Sequence, residues 1–371
     1  HLGPGVLMLP VMYILSKRIT KRTLFASIAT VLFALDFMHF AQTRIATIDS
    51  FSVFFILLMF LFMVDYTSMN FNQEKLYKTF LPLGLSGIFF GLGASTKWLC
   101  LYAGAGLAVL LFYTLYLRYR EYEAARLKLA DNAAGKYAGF YRNVVDTYYY
   151  KLFLTLLVCI LMFIVVPLII YFLSYIPYTK ITDNPYDFAK ILGNQSYMWN
   201  YHSHLKTASP HPFASRWYTW IFDIRPVYFF QGKGYPDGIL SSMSTFGNPM
   251  IWWALVPAVL ALVILRTSKV RFGHALTFTA IAGLSNIVPW FFISRETYIY
   301  HYFACVPFVI LTITIAMKYL FEKWKYGKYF VVLYLLLVLA AFIAFYPFIT
   351  GIPVAKTYAN AMRWLETWPF Y

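Results

Sequence analysis

Charge is scarce in this chain: Asp, Glu, Lys and Arg make up 12% of 371 residues, and only 15 side chains are acidic. Soluble domains hold roughly a quarter of their residues as charged groups, so this composition excludes an ordinary soluble domain. Cysteine is nearly absent, with 3 residues, Cys100, Cys159 and Cys305, each in or beside an apolar run. An odd number so placed excludes a disulfide framework and a thiolate cluster. No long run alternates at period two, which excludes an outer-membrane barrel. A Walker loop is missing, as is a GxGxxG turn opening a helix in soluble context. The GLGAS run at 91–95 lies in apolar sequence and reads as close helix packing, so energy from a bound nucleotide is not expected. Internal repeats and low-complexity segments are also missing.

What remains is 61% hydrophobic. Runs of roughly 18 or more apolar residues recur, which defines an all-α polytopic membrane protein. About ten spans are legible, near 2–16, 23–40, 46–65, 80–96, 98–117, 152–176, 249–266, 273–293, 297–317 and 329–349. The fourth and fifth are separated only by Lys97 and Trp98. This divides the chain into N-terminal spans over 1–176, a long aromatic loop over 177–248 and C-terminal spans with a tail over 249–371. The net charge of +16 suggests no nucleic-acid partner here, because most of the 31 Lys and Arg fall in alternate loops: 17–22, 75–78, 118–151, 266–271 and 318–328. The positive-inside rule sets those loops in the cytoplasm of a cell-membrane protein. It leaves the 177–248 loop and the C-terminus outside. Stretch 118–151 mixes Arg and Lys with Tyr and reads as an amphipathic helix on the inner leaflet.

The informative side chains are ionisable groups at the outer ends of spans, where proximity to hydrocarbon demands a partner or a cavity. Arg44 lies in HFAQTRIATIDS (39–50), Lys97 in STKW, and Arg295 in SRETYIYHYF (294–303). Cations converging near a membrane surface suit a lipid-linked phosphate, and a guanidinium binds phosphate oxygens through two parallel hydrogen bonds. Arg44 and Arg295 are explained equally well by a local carboxylate: Asp36 or Asp49 for Arg44, and Glu296 for Arg295. In the long loop, MWNYHSHLKTASPHPFASRWYTWIFDIRPVYFF (198–230) carries His202, His204, His211 and Arg225 among aromatics, and suits a cover folded back over a site. His202 and His204 are spaced to share one edge of a strand, but no Cys or Glu completes a metal set, so no metal is expected.

At these stretches the chain resembles the protein O-mannosyltransferases, members of the multi-spanning glycosyltransferase superfamily C (GT-C). The resemblance rests on HFAQTRIATIDS, GLGASTKWLCLYAGAGLAVL (91–110), WNYHSHL (199–205), SRWYTWIFDIRPVYFF (215–230), FGNPMIWW (246–253) and SRETYIYHYF. It covers nearly the whole chain, with a long loop too short for the MIR domain of eukaryotic members, as in bacterial ones. It implies transfer of mannose from a polyprenyl (dolichyl-type) phosphate mannose to Ser or Thr of secreted or membrane proteins, at the outer face and with inversion. No cofactor is implied beyond that donor, and the resemblance admits a dimer. Arg44, Arg295 and Lys97 are then donor-phosphate candidates. Arg225, His202, His204, His301 and Tyr302 are further substrate contacts. The family's Asp-Glu pair belongs to an external loop ahead of the first span seen here. Since the chain opens on His1, that pair and an eleventh span are expected upstream, which leaves the catalytic base unassigned, with Asp49 as a candidate. Three alternatives remain open: a related enzyme moving another lipid-linked sugar to a lipid or polymer, a transporter or flippase, and a non-catalytic subunit.

Overall fold

The computed structural model describes residues 2–131, 133–181, 187–204, 211–267 and 273–370. The chain begins with α1 (Leu2–Thr20), α2 (Thr23–Ala34), α3 (Phe37–Arg44), α4 (Asp49–Ser68), α5 (Leu76–Thr96) and α6 (Leu99–Ala130). Then come α7 (Ala138–Ile160), a π-helical turn (Leu161–Val165), α8 (Val166–Leu173), α9 (Ile176–Ile181) and α10 (Phe188–His204). The stretch that follows holds α11 (Trp217–Trp220) and strands β1 (Val227–Gln231), β2 (Ile239–Leu240) and β3 (Ser242–Thr245). The last third contains α12 (Pro249–Trp252), α13 (Leu255–Thr267), α14 (Gly273–Ile287), α15 (Val306–Lys323), α16 (Gly327–Thr350), β4 (Val354–Ala355) and α17 (Lys356–Met362).

The molecule is mostly helical, as expected, but all-α needs correction: β1 pairs with β3 and β2 with β4, both antiparallel. These ladders join the long loop to itself and to the segment after α16. Their partners lie too far apart in sequence for a hairpin signal to show them. Among the described residues seven helices are long and apolar enough to cross a membrane, or eight if the bent pair α2–α3 is one span. The other two expected segments differ in kind. Pro249–Leu265 is a shorter apolar helix, and 297–317 opens with a 3-10 turn, Ile299–Ala304, before α15. The basic loop residues 268–272 and the stretch 205–210 of the aromatic loop lie outside the described residues.

Two compact units divide the chain: residues 1–54 with 188–371, and residues 55–187. In the first, α15 is the central helix. Val306–Leu311 are buried on every side, the pattern of a helix enclosed by others. It packs against α2, α13, α14 and α16. Gly351 closes α16 at φ 80°, a left-handed cap that a side chain would strain.

In the second unit a proline shapes the packing. Pro167 has no N–H to offer and its ring crowds the preceding turn, and the helix widens into the π turn just before it. α5 meets that turn with glycines. A Cβ on Gly87 would sit 2.2 Å from the Met162 carbonyl oxygen, and one on Gly91 would sit 2.9 Å from Pro167 Cα. Both obstacles are backbone, so they cannot swing aside. Gly87→Ala is expected to destabilise this unit by about 1–3 kcal/mol. Thermal unfolding in detergent checks this against Gly139→Ala, where a new Cβ meets nothing within 4 Å.

Stretch 118–151 is also clarified. It consists of the ends of α6 and α7, two long helices packed on each other, joined near Gly135–Tyr137. Arg118 donates to Glu121 at 2.6 Å and to the Met69 carbonyl at 2.9 Å, while Asn70 and Asn72 also donate to Glu121. The α4–α5 connection is thereby tied to α6.

Candidate active site

The site is built around a break in a span. α2 stops at Ala34 and α3 starts at Phe37, bent by 57°. A helix broken inside a protein leaves N–H and carbonyl groups that need partners. Asp36 caps α3 by accepting the His39 N–H at 3.1 Å. Its other oxygen accepts Trp252 Nε1 at 2.8 Å and the Asn248 N–H at 3.3 Å. Asn248 Nδ2 donates to the carbonyls of Leu35 (3.1 Å) and Val338 (3.2 Å). The break is thus fixed by the FGNPMIWW stretch, roughly 200 residues away in sequence.

α3 carries Arg44 at its far end. Arg44 is exposed, with its guanidinium 5.2 Å from the Phe40 ring centroid. Eight residues of helix span about 12 Å, so Asp36 at the opposite end is not the partner of Arg44. After Arg44 the chain turns back: Gln42 accepts from Thr47 at its side chain (3.2 Å) and from Ser50 at its carbonyl (2.9 Å). That turn delivers Asp49, buried, to the first turn of α4.

The second cationic stretch packs on the first. The 3-10 turn Ile299–Ala304 lies against α3. Arg295 is half-buried and donates to the Glu296 carbonyl at 3.3 Å. Tyr300, in this turn, feels the charges of both Asp49 and Arg295. His301 and Tyr302 are buried. The His301 ring stacks on Tyr300 at 4.6 Å and meets Trp290 at 4.5 Å, while Tyr302 packs on Trp252 at 4.8 Å. Both are thus enclosed by aromatic rings.

A strap from the long loop covers this turn. His211 N–H donates to Glu296 Oε1 at 2.9 Å, Ser215 N–H donates to the Thr297 carbonyl at 2.8 Å, and Arg216 Nη1 donates to the Ser294 carbonyl at 3.3 Å. Trp217 stacks on Phe291, with centroids 3.7 Å apart. The carboxylate of Glu296 thus serves the strap. The Tyr298 O–H also donates to Glu296 Oε2, at 3.4 Å. Exposed Arg225 donates to the Pro212 carbonyl at 3.3 Å and so braces the strap.

The remaining candidates fall elsewhere. His202 is exposed on α10, a helix and not the strand its spacing suggested. Residues two apart on a helix do not share a face, so the expected histidine edge does not form. The side chain of His204 lies outside the described residues. Lys97 ends α5 in the second unit, its N–H on the Gly93 carbonyl at 3.0 Å, and no place at this site is assigned to it. Among the described residues no group of three His, Cys, Asp or Glu could hold a metal ion.

Sequence reasoning missed Asp223. It is fully buried in a left-handed turn (φ 52°), and its Oδ1 accepts the Gly247 N–H at 2.7 Å. Burial pushes its carboxyl well above the usual range, opposed by that hydrogen bond and reinforced by the nearby charge of Asp36. The available signal was an acid in the aromatic run WIFDIRPVYFF.

Comparison with known proteins covers the same ground. Residues 1–181 match a family model described as dolichyl-phosphate-mannose-protein mannosyltransferase. Residues 187–368 match one described as the C-terminal four-span region of protein-O-mannosyltransferase. A polyprenol-phosphate-mannose–protein mannosyltransferase of Mycolicibacterium smegmatis is 25% identical over 98% of this chain and 76% of its own length. Its counterpart in Mycobacterium tuberculosis is 24% identical over 98% of this chain and 75% of its own. Among solved structures, the Saccharomyces cerevisiae Pmt1-Pmt2 protein O-mannosyltransferase complex bound to the sugar donor superimposes with a TM-score of 0.80 at 12% identity. The match covers 99% of this chain and 80% of that one.

Proposed function

The chain belongs to the protein O-mannosyltransferase family, and on that premise we propose that it moves mannose from a polyprenyl (dolichyl-type) phosphate mannose to Ser and Thr hydroxyls of proteins, with inversion. The observation that carries this reading is the packing of α3, which bears Arg44, against the turn Ile299–Ala304 that follows Arg295. In such a transfer the lipid phosphate is the leaving group, and it gains charge as the glycosidic bond breaks. Guanidinium groups held where that charge develops stabilise the transition state more than the ground state. The acceptor hydroxyl must lose its proton to a carboxylate within hydrogen-bond reach. Asp49, beside Tyr300, is the candidate this rim supplies. His211 and Tyr298, both bonded to Glu296, and Trp217, stacked on Phe291, cover the segment that carries Arg295.

This reading also places about ten spans in the membrane, with the long loop and C-terminus outside. There a lipid donor arrives laterally while a secreted or membrane protein approaches from water. The test uses the complete reading frame, expressed in membranes and given labelled polyprenyl phosphate mannose and a Ser/Thr-rich peptide. Mannosyl-Ser or mannosyl-Thr of inverted anomeric configuration is the expected product. Label recovered only on lipid or polymer, or sugar uptake into vesicles without transfer, would overturn the assignment.

A further inference from the structure

Two buried carboxyls accept consecutive backbone N–H groups in the first unit of the chain. The Gly247 N–H donates to Asp223 Oδ1 at 2.7 Å, and the next N–H, of Asn248, donates to Asp36 Oδ2 at 3.3 Å. Both acids are fully buried. The groups bonded to these two residues are neutral. Trp252 Nε1 donates to Asp36 at 2.8 Å, Trp368 Nε1 donates to the Asp223 carbonyl at 2.7 Å, and the Tyr302 phenol is within electrostatic range of both acids.

Two negative charges this close and this dry do not coexist, so one carboxyl keeps its proton. The donor sets decide which. Asp36 receives N–H groups at both oxygens, from His39, Asn248 and Trp252, as an ionised carboxylate requires. Asp223 receives one, and its buried Oδ2 has no partner. A bare ionised oxygen there would cost several kcal/mol, whereas a neutral acid places its O–H at that position.

We propose that Asp223 is a positioning residue acting as the neutral carboxylic acid: by holding Gly247 it sets Asn248 and Trp252 against Asp36, and so fixes the angle at which α3 presents Arg44 to the donor phosphate. The left-handed backbone at Asp223 fits this task. It closes the turn in which the Asp223 N–H meets the Trp220 carbonyl at 3.0 Å, aiming the carboxyl inward. Gly247 is required at the centre of the arrangement. A Cβ there would lie 2.0 Å from the Trp252 indole, displacing the ring that serves Asp36.

The functional half of this proposal rests on the phosphate role of Arg44, whereas the protonation state does not. The test uses the full-length protein in its membrane and two substitutions. Asp223→Asn keeps the shape and the neutral state, so transfer should stay within about 3-fold of the parent. Asp223→Ala frees Gly247 and should raise the KM for donor about 10-fold or more, with a smaller change in kcat. Infrared difference spectra between the parent and Asp223→Asn should show a protonated-carboxyl C=O band that shifts in deuterium oxide. The same band should survive in Asp36→Asn. Loss of transfer in Asp223→Asn as deep as in Asp223→Ala would overturn the proposal, as would absence of the band. Presence of the band with an Arg44→Ala variant that transfers normally would remove the link to the donor and leave the neutral acid established.

Discussion

Arg44→Ala is expected to lower kcat/KM for mannose transfer by about 100-fold or more, the range seen when a group stabilising a developing oxyanion is deleted. The fold should survive. Arg44 is exposed, and the contact it makes with its own helix is to the Phe40 ring at 5.2 Å. An exposed contact of that kind contributes about 0.5–1 kcal/mol to stability. The two readouts therefore separate, with transfer collapsing while the unfolding temperature moves little. Arg44→Lys tests geometry against charge. An ammonium keeps the positive charge but loses the forked pair of N–H groups, so activity should fall between the parent and the Ala variant. Arg295→Ala should fall in the same direction, since Arg295 is half-buried on the facing segment. Labelled donor and a peptide acceptor give the rates. Unimpaired transfer in both Ala variants would mean that the arginines do not hold the phosphate.

The features legible in the sequence are those set by local physics. Long apolar runs become helices because a backbone in hydrocarbon must satisfy its own hydrogen bonds, and eight of the ten expected segments correspond to helices or a bent pair of spanning character. Arg44 and Arg295 stood out because charge at a span end is costly, and the segments that carry them do pack together. What could not be read depends on partners distant in sequence. The acid at Asp36 looked like a local counter-ion for Arg44, but its donors include Asn248 and Trp252. Spacing alone made His202 and His204 a strand edge, whereas α10 is a helix on which residues two apart do not share a face. Asp223 gave almost no signal, because its meaning lies in an N–H at Gly247 and an indole at Trp368. Apolar patterning reports which residues avoid water. It does not report which buried polar groups find each other.

The second large effect follows from that distant pairing. Asp36→Ala should destabilise the first unit by on the order of 3–6 kcal/mol, because three donors lose their acceptor and a buried unsatisfied N–H costs about 1–3 kcal/mol. The donors are the His39 N–H at 3.1 Å, the Asn248 N–H at 3.3 Å and Trp252 Nε1 at 2.8 Å. Water cannot readily replace the carboxylate, since Asp36 is fully buried and Phe37, Phe246 and Phe345 crowd the adjoining helix. The His39 N–H has the least to lose, because first-turn donors of a helix are the weakest held and a cap contributes about 1 kcal/mol. Trp252 has the most to lose, since its indole packs directly on Gly247 and cannot turn to another acceptor. Asp36→Asn should give a smaller loss than Ala. One amide oxygen still serves one side of the break, but the NH2 then faces a donor on the other. Intrinsic tryptophan fluorescence during thermal unfolding measures both, since Trp252 and Trp368 lie in this core. An Asp36→Ala protein that unfolds at the parental temperature would mean that the bend between α2 and α3 stands without the carboxylate.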